Sequence, residues 1–299
     1  MIIFYHSDLD GHCAGAIAYK FATALDSSLP DLPRRPLCVE MDHFSTLDLN
    51  SVENGENIYI VDFSFKPDVI NKLLEKGCNI TWLDHHKTAF DYEKKFIRSR
   101  GSVNGFRRDD LSGCGIAWNW FFPHSPMPYV VEMIQDYDLW QFKFPETKPF
   151  YEGLKLEDTA PIAGIWKTLL CTTQMYSKHE KDIISDFCKK GETCIKYRDS
   201  ICKDYCKMGF ETWFMGYRCF AQGMYTFGST AFGELIHKYP ICLSFEFLGD
   251  KWVIGLYSAD DKIHVGELAK QCGGGGHKGA AGFTMNGKDL PDFLGEGGK

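Results

Sequence analysis

Long apolar runs are scarce in this sequence, and so is any sign of a leader segment. No stretch approaches the ~20 consecutive apolar residues that a membrane-spanning helix needs. The N-terminal MIIFYHSDLDGHC is a short apolar run that charged residues interrupt at once, unlike a secretory signal. We therefore expect a cytoplasmic protein with no membrane partner, whose fold begins with a strand at the first residues.

Closely paired cysteines are also lacking. The 12 cysteines are scattered singly, and none forms a CxxC pair. Such spacing is atypical of structural zinc sites or of a disulfide framework. We predict free thiols in a reducing compartment.

Positive charge is in deficit. The chain has 33 Lys and Arg against 40 Asp and Glu, a formal net charge of −7. This balance argues against a broad electrostatic grip on long duplex nucleic acid. A small phosphate-bearing substrate in a local basic pocket remains compatible with it.

The 299 residues are enough for two domains. In the first half, short apolar runs alternate with helical patterns, which predicts an α/β fold with a parallel sheet flanked by helices. A second, smaller α/β domain is expected near the C-terminus. The predicted limits are 1–185 for the first domain, 186–209 for a helical linker and 210–299 for the second domain.

Polar motifs stand at the ends of the predicted strands Met1–Tyr5, Asn57–Phe63 and Asn79–Leu83. The first strand runs into HSDLDG, the second ends in VDFS and the third runs into DHH. Because functional residues of parallel sheets gather at the carboxyl ends of strands, these side chains should lie together. Carboxylates and imidazoles so crowded are typical of a site for Mn²⁺, Mg²⁺ or Zn²⁺.

Each motif also has an ordinary structural interpretation. Asp10-Gly11 could form a turn, Asp62 could cap a helix, and His85-His86 could lie in a loop. Their coincidence at three strand ends of one sheet favours the metal site.

A glycine run stands near the C-terminus, in CGGGGHKGAAG. Glycine lets a backbone approach a ligand closely and turn its N–H groups toward an anion. His277 and Lys278 would add charge-assisted donors. The alternative, a flexible linker, does not explain why the run continues into GHKGAAG.

These motifs resemble those of a known family. HSDLDG, VDFS and DHH, in this order, resemble the DHH phosphoesterase superfamily, and residues 274–282 match the GGGHxxAAG motif of its DHHA1 domain. The resemblance runs from residue 2 to about 285. The segment DYDLW at 136–140 is similar to that of oligoribonuclease-type members (NrnB-like and nanoRNase).

The resemblance implies a two-metal centre with a bridging carboxylate, Asp62. One ion would be bound by His6, Asp8 and Asp62, and the other by Asp10, Asp62, His85 and Asp136. Asp138 is the alternative to Asp136.

The resemblance also implies the remaining roles. Asp84 and His86 would act beside the metals, the carboxylate orienting the ligand imidazole and His86 facing the phosphate. The substrate would be bound by Gly274, Gly275, Gly276, His277 and Lys278, across a cleft between the domains.

The predicted function is a metal-dependent phosphodiesterase that hydrolyses short oligonucleotides or dinucleotides to mononucleotides. Two divalent cations, most readily Mn²⁺ but also Mg²⁺, would prime water to attack phosphorus. Alternatives are a cyclic-dinucleotide phosphodiesterase, a 3′-phosphoadenosine 5′-phosphate phosphatase and a non-catalytic nucleotide-binding module. A homodimer is compatible with the sequence.

Aromatic residues near the motifs include Tyr137 and Trp140. We assign them to core packing by default, with base stacking as the alternative.

Overall fold

The computed structural model describes residues 1–26, 35–42, 45–96, 103–171, 178–287 and 291. The chain divides into two compact units, Met1–Thr193 and Cys194–Lys299. The division falls within a long helix, Lys178–Met208, in the region that the sequence predicts to be helical.

The first unit contains the following helices and strands, in chain order: β1 (Ile2–His6), α1 (Leu9–Asp26), β2 (Leu37–Met41), a 3₁₀ helix (Leu49–Ser51), β3 (Asn57–Val61), α2 (Pro67–Glu75), β4 (Asn79–Leu83), α3 (Lys87–Phe96), α4 (Gly113–Phe121), α5 (Tyr129–Asp138), α6 (Thr147–Leu154), α7 (Ile165–Leu169) and the start of α8 (Lys178–Met208).

The sheet of this unit is parallel, with strand order β2-β1-β3-β4. Its two central strands, β1 and β3, are short runs rich in β-branched and aromatic residues, IIFYH and NIYIV. Because all strands run the same way, the residues that follow β1, β3 and β4 emerge at one edge.

Side chains alternate between the two faces of the sheet, as a strand with both faces covered requires. Ile3 of β1 packs in a core with residues of α1, α4 and α5. Phe4, its neighbour, packs in a second core with Ile70 and Leu73 of α2. The predicted parallel sheet flanked by helices is therefore confirmed.

Helix α1 begins at Leu9, ahead of the helical spacing of apolar residues that the sequence shows over Ala14–Leu25. The Asp8 carboxylate accepts a hydrogen bond from the backbone N–H of Gly11 at 2.9 Å, as an N-cap side chain does. This start places Asp10 in the first helical turn.

The second unit contains a six-stranded sheet in the order β5-β6-β7-β8-β10-β9. Its elements, in chain order, are β5 (Phe210–Phe214), β6 (Tyr217–Gln222), a 3₁₀ segment (Gly228–His237), β7 (Ile241–Phe247), β8 (Lys251–Tyr257), α9 (Val265–Gln271), β9 (Gly275–Gly276) and β10 (Ala280–Asn286).

This second sheet is mainly antiparallel, with β6 and β7 as its parallel pair. Ile254 of β8, Val265 of α9 and Phe283 of β10 belong to one of its buried clusters. The predicted smaller C-terminal α/β domain is confirmed as a sheet domain. None of the helices within the described ranges is both long enough and apolar enough to cross a bilayer.

Glycine at position 11 is required by the tight turn from β1 into α1. A Cβ atom there would overlap the backbone carbonyl of His6. We expect Gly11→Ala to lower the free energy of unfolding by about 1–3 kcal/mol, because backbone must move to make room. Urea denaturation measures the change.

Gly164→Ala is the matched control, since a Cβ at that position meets no atom within 4 Å. Its stability should stay the same or rise by about 0.4–1 kcal/mol, because alanine restricts the unfolded chain. Equal losses in the two variants would contradict the steric argument.

Candidate metal centre

The end of β1 supplies the first donors. His6 is the last residue of the strand, and its Nδ1 lies 2.9 Å from Oδ2 of Asp8. Burial alone would raise the pKa of Asp8, but the hydrogen bonds from His6 and Gly11 outweigh it and lower the pKa to about 2. Asp8 is therefore a carboxylate throughout the physiological range.

Asp10 is buried and fully engaged at the N-terminus of α4. Its Oδ1 accepts hydrogen bonds from the Ser112 hydroxyl at 2.8 Å and the Cys114 N–H at 3.0 Å. Its Oδ2 accepts from the Gly113 N–H at 2.6 Å. The unpaired N–H groups of a helix start are favourable partners for a carboxylate, so the start of α4 holds the Asp10 side chain in place.

Asp62 follows β3 and has the opposite environment. The residue is buried, and neither side-chain oxygen accepts a hydrogen bond from the described part of the chain. Burial raises its pKa far above the usual value, and the nearby carboxylates of Asp10 and Asp8 raise it further. A buried carboxylate without a donor costs free energy that a bound cation would offset.

The backbone holds Asp62 in place. Its φ is 54°, in the left-handed region that few residues other than glycine adopt. Its N–H donates to the carbonyl of Leu83 at 2.8 Å, which ties the end of β3 to the end of β4. A Cβ on Gly113 would overlap the Asp62 carboxylate, so glycine is needed there.

The segment after β4 supplies Asp84, His85 and His86. The Asp84 carboxylate is buried and accepts from His86 Nδ1 at 2.7 Å and from the His85 N–H at 2.7 Å, and the Ser64 hydroxyl donates to its other oxygen. Asp84 thus orients the ring of His86, whereas the family resemblance implies that it orients the ligand imidazole, His85.

His86 carries a positive charge at neutral pH. Burial would lower its pKa, but the hydrogen bond and charge of Asp84 outweigh burial and raise the pKa to about 9. With Nδ1 engaged by Asp84, Nε2 is the second ring nitrogen that can donate a proton.

His85 approaches the acidic side chains directly. Its Nε2 lies 3.2 Å from Asp62 Oδ1, 3.6 Å from Asp138 Oδ2 and 4.0 Å from Asp10 Oδ2. Burial lowers the pKa of His85, which favours the neutral imidazole that binds a metal ion.

Asp138, rather than Asp136, reaches this group. Burial and the charges of Asp10 and Asp8 raise the pKa of Asp138 to about 8, and its Oδ2 is buried without a hydrogen-bond donor from the described residues. These are the same features that Asp62 shows.

Asp136 lies on another side of α5, buried among donors. Its carboxylate accepts from the Lys143 N–H at 2.9 Å, the Phe144 N–H at 3.4 Å and the Thr147 hydroxyl at 2.5 Å. Burial would raise its pKa, but these hydrogen bonds outweigh burial and lower it. The structure therefore does not bring Asp136 together with the other predicted ligands.

The donor atoms form overlapping groups in which all atoms lie within 4.8 Å of one another. The groups are His6, Asp8 and Asp62; Asp10, His85 and Asp138; and Asp62, His85 and His86. Oxygen and imidazole donors of this kind suit divalent cations such as Mn²⁺, Mg²⁺ or Zn²⁺. The residues present thus fit divalent metal ions, and Asp62 is common to two of the groups.

The predicted substrate loop lies in the second unit and is a hairpin. Gly275 and Gly276 form β9 and pair with Gly282 and Ala281 of β10. The N–H of His277 donates to the carbonyl of Ala280 at 2.8 Å, which closes the turn. This amide is used within the fold, so the expectation that several N–H groups turn toward an anion is not met at His277.

The outer part of this hairpin carries charge. Lys278 Nζ lies 3.4 Å from Asp261 Oδ1, and both side chains are exposed. An exposed pair of this kind is weak.

Comparison with known proteins identifies part of the chain. The family model described as the DHHA1 domain matches residues 230–296. The chain is 25% identical over 304 residues to an uncharacterized protein, R106, of Acanthamoeba polyphaga mimivirus, covering 96% of this chain and 68% of that protein. It is 23% identical over 312 residues to oligoribonuclease NrnB of Bacillus subtilis (strain 168), covering 98% of this chain and 75% of that protein.

Solved structures share the fold. The DHH domain of a member of a ribosomal-protein family aligns with a TM-score of 0.62 at 14% identity, covering 96% of this chain and 82% of that chain. The pGpG-specific phosphodiesterase PggH of Vibrio cholerae aligns with a TM-score of 0.50 at 14% identity, covering 95% of this chain and 93% of that chain. Residues 230–296 thus match the DHHA1 domain, and the chain as a whole is similar to proteins of the DHH/DHHA1 phosphoesterase superfamily.

The residues that support Asp10 are not among those predicted from sequence. Ser112, Gly113 and Cys114 stand at the start of α4, far along the chain from HSDLDG. The available signal is a serine directly before the apolar helix GCGIAWNWF, the usual N-cap pattern. It predicts a helix start but not which carboxylate that helix faces.

The contrast between Asp136 and Asp138 gives a paired prediction. We expect Asp136→Asn to lower the free energy of unfolding by about 1–3 kcal/mol, because an amide cannot accept all the hydrogen bonds that the carboxylate accepts. Asp138→Asn should leave the metal-free protein at least as stable as wild type, since it removes a carboxylate whose buried Oδ2 lacks a donor among the described residues. Thermal unfolding in EDTA measures both.

Mn²⁺ affinity should depend on the other residue of the pair: it should fall in Asp138→Asn, the variant whose stability is retained. Calorimetric titration with Mn²⁺ should show weaker binding for Asp138→Asn and near-normal binding for folded Asp136→Asn. If Asp136→Asn alone lost Mn²⁺ affinity, Asp136 would be the ligand and the geometric argument would fail.

The stability of the metal-free protein should fall as pH rises from 7 to 9. Asp138 and His86 have folded pKa values of about 8 and about 9, above those of the unfolded chain. The folded protein therefore holds protons that the unfolded chain has released, and the stability they contribute is lost as pH passes through the folded values. We expect a loss of about 3–4 kcal/mol from these two groups, at roughly 1.4 kcal/mol per proton and pH unit.

Urea denaturation in EDTA at the two pH values measures this loss, and Asp138→Asn is the control in which it should be smaller. Unchanged or rising stability across the interval would mean that both groups are already deprotonated at neutral pH.

Proposed function

We propose that this protein is a divalent-metal-dependent phosphodiesterase that hydrolyses short oligonucleotides or linear dinucleotides to mononucleotides. The reacting phosphate would lie at the candidate metal centre, and the roles of the side chains there are assigned below. Water attacks phosphorus, and the ester bond to the leaving nucleoside oxygen breaks.

The observation that carries the proposal is the position of Asp62. Its two oxygens lack donors among the described residues, and it belongs both to the group with His6 and Asp8 and to a group with His85. A carboxylate so placed can serve two cations at once, which supports a two-ion site.

We assign His6, Asp8 and Asp62 to one ion, and Asp10, Asp62, His85 and Asp138 to the other, with Asp138 in place of Asp136. When bound, such cations polarise the phosphate and acidify the water that attacks it. Hydrogen bonds orient two of these carboxylates without a metal ion. The start of α4 holds Asp10 through three of them, and the turn into α1 holds Asp8.

We assign His86 to the leaving oxygen or to a phosphate oxygen. In the metal-free protein Asp84 outweighs burial and raises the pKa of His86 to about 9, and Asp84 fixes the ring through Nδ1. A proton on Nε2 can stabilise negative charge on the phosphate and can be transferred to the oxygen that leaves. Asp84 then acts by orienting His86 and by keeping its charge.

We assign substrate binding to the hairpin of the second unit. Lys278 offers an exposed ammonium group, and His277 lies beside it at the turn. The glycines before them leave the turn unobstructed by side chains. These residues would bind a phosphate or the end of the substrate.

The substrate class rests on charge and on similarity. A net charge of −7 disfavours long duplex nucleic acid and is compatible with short substrates. The similarity to oligoribonuclease NrnB of Bacillus subtilis, which extends over 98% of this chain, supports oligonucleotides as the first substrates to test. Mn²⁺ is our first choice of metal, with Mg²⁺ as the second.

The test is hydrolysis of labelled di- and oligonucleotides by EDTA-treated protein with and without added Mn²⁺ or Mg²⁺. We expect mononucleotide products only when metal is present. Asp62→Asn should lower kcat by at least ~10³-fold, as loss of central electrostatic stabilisation does. The matched control, Asp109→Asn, changes an exposed aspartate and should retain the wild-type rate.

Substitutions at the metal centre and at the hairpin should affect different kinetic constants. His86→Gln should lower kcat by about 10²- to 10⁴-fold, because it removes a proton donor, while His277→Ala should mainly raise KM. The surface variant His124→Gln controls for the loss of a histidine.

The substrate panel also decides among the alternatives. Preference for a cyclic dinucleotide, or release of phosphate from 3′-phosphoadenosine 5′-phosphate, would replace the proposed substrate but keep the metal chemistry. Mn²⁺ binding without hydrolysis of any substrate would favour a nucleotide-binding module.

A further inference from the structure

The turn after α5 is strained at two aromatic residues. Trp140 and Phe142 have φ values of 57° and 51°, in the left-handed region. Bulky aromatic side chains are rarely found there, because the backbone conformation costs free energy. Such strain persists where the surrounding structure imposes it, commonly near functional sites.

Asp136 imposes this conformation. Its main-chain carbonyl accepts from the Gln141 N–H at 3.0 Å, and its carboxylate accepts from the Lys143 N–H at 2.9 Å and the Thr147 hydroxyl at 2.5 Å. A single buried residue thus organises both ends of the turn that contains Trp140 and Phe142.

The turn displays the Trp140 ring. The residue is 55% exposed, although its ring lies 4.8 Å from that of Phe142 and 5.7 Å from that of Tyr137, both in edge-to-face contact. Core packing, the default assignment from sequence, does not describe a ring so exposed. The neighbouring rings fix its orientation while more than half of its surface stays accessible.

The ring cluster is linked to the metal centre through Asp138, which lies between Tyr137 and Trp140 in the chain. Asp138, which lies with Asp10 and His85, precedes Trp140 by two positions, and Tyr137 stacks on Tyr151 with ring centroids 3.6 Å apart. Burial raises the pKa of Tyr151, and the charges of Asp8 and Asp138 raise it further.

Positive charge accompanies the rings. Lys148 Nζ lies 4.1 Å from the centroid of the Phe142 ring, and Lys143 and Lys148 are both exposed. A ligand that combines a flat aromatic group with phosphate charge complements this surface.

We propose that Trp140 stacks on a nucleobase of the substrate and so positions the attached phosphate at the metal centre. The inference rests on the proposed function and deepens it, because it names the substrate group that this part of the protein recognises. Stacking on an aromatic ring tolerates every base, so the contact would favour nucleotides over other phosphoesters without selecting a base sequence.

Binding measured without turnover tests this contact. Equilibrium dialysis in Mn²⁺ compares the affinities of adenosine 5′-monophosphate, adenosine 3′-monophosphate and ribose 5-phosphate for wild type, Trp140→Ala and Trp140→Phe. We expect Trp140→Ala to weaken binding of at least one adenosine nucleotide by about 5- to 100-fold, the range of a single base stack. Trp140→Phe should lie between, and ribose 5-phosphate should bind all three proteins alike.

Trp213→Ala is the matched control, since Trp213 is 48% exposed but lies on β5 of the second unit, with an ordinary strand backbone. It should bind the nucleotides as wild type does. Trp140→Phe retains a ring and keeps the test valid if the alanine variant folds poorly.

Unchanged nucleotide affinity in Trp140→Ala, or an equal loss for ribose 5-phosphate, would overturn the inference. Hydrolysis assays separate it from the proposed function. If the wild type binds adenosine nucleotides through Trp140 but hydrolyses no oligonucleotide, the proposed function fails and the stacking site stands. If hydrolysis is metal-dependent but is unaffected by substitution of Trp140, the proposed function stands and the stacking site fails.

Discussion

Electrostatic repulsion among carboxylates at one edge of the first sheet is the constraint on which the site depends. Asp8, Asp10 and Asp62 follow the ends of adjacent strands, where the parallel sheet brings them together. The fold supplies the first two with hydrogen-bond donors, from His6 and Gly11 for Asp8 and from the start of α4 for Asp10. Asp62 has no such donor among the described residues. Its negative charge can be balanced by a bound cation or removed by protonation.

The hydrogen bonds to Asp10 and the close packing against Asp62 come from the same helix start. The N-terminus of α4 both binds Asp10 and packs Gly113 against Asp62, so a single helix start sets the separation of two carboxylates. The left-handed backbone of Asp62 and its hydrogen bond to Leu83 then aim the side chain into the group. Free energy lost in this strain is compensated by the buried cores on both faces of the sheet. Stability of the first unit therefore supports a site that would be unfavourable alone.

Much of this arrangement could be predicted from sequence. Short β-branched strands that end in HSDLDG, VDFS and DHH indicate a parallel sheet with polar side chains at one edge, because strand direction and side-chain chemistry are local properties. Strand β2 escapes such prediction, since it is half-exposed along most of its length and lacks a clear apolar pattern. Apolar periodicity also places the start of α1 too late, because the Asp8 cap determines where that helix begins.

The choice between Asp136 and Asp138 could not be made from sequence. Positions two apart on a helix point about 200° away from each other, so only one of them can face the strand ends. Helix periodicity does not say which, because the answer lies beyond the helix. Asp136 faces the chain that follows, where Lys143, Phe144 and Thr147 satisfy its carboxylate.

The structure of the glycine run also could not be predicted from its residue types alone. Its residue types indicate a backbone that adopts unusual conformations, and Gly276 has a φ of 144°. They do not reveal that Gly275 and Gly276 form an edge strand, which depends on pairing with β10. That pairing uses backbone groups that a free loop would offer to a ligand. Main-chain groups of the turn are also used within the fold, since the carbonyls of Lys278 and Gly279 accept hydrogen bonds from the N–H groups of Val265 and Ser258. The substrate binding that we propose for this hairpin therefore relies on side chains such as the exposed Lys278.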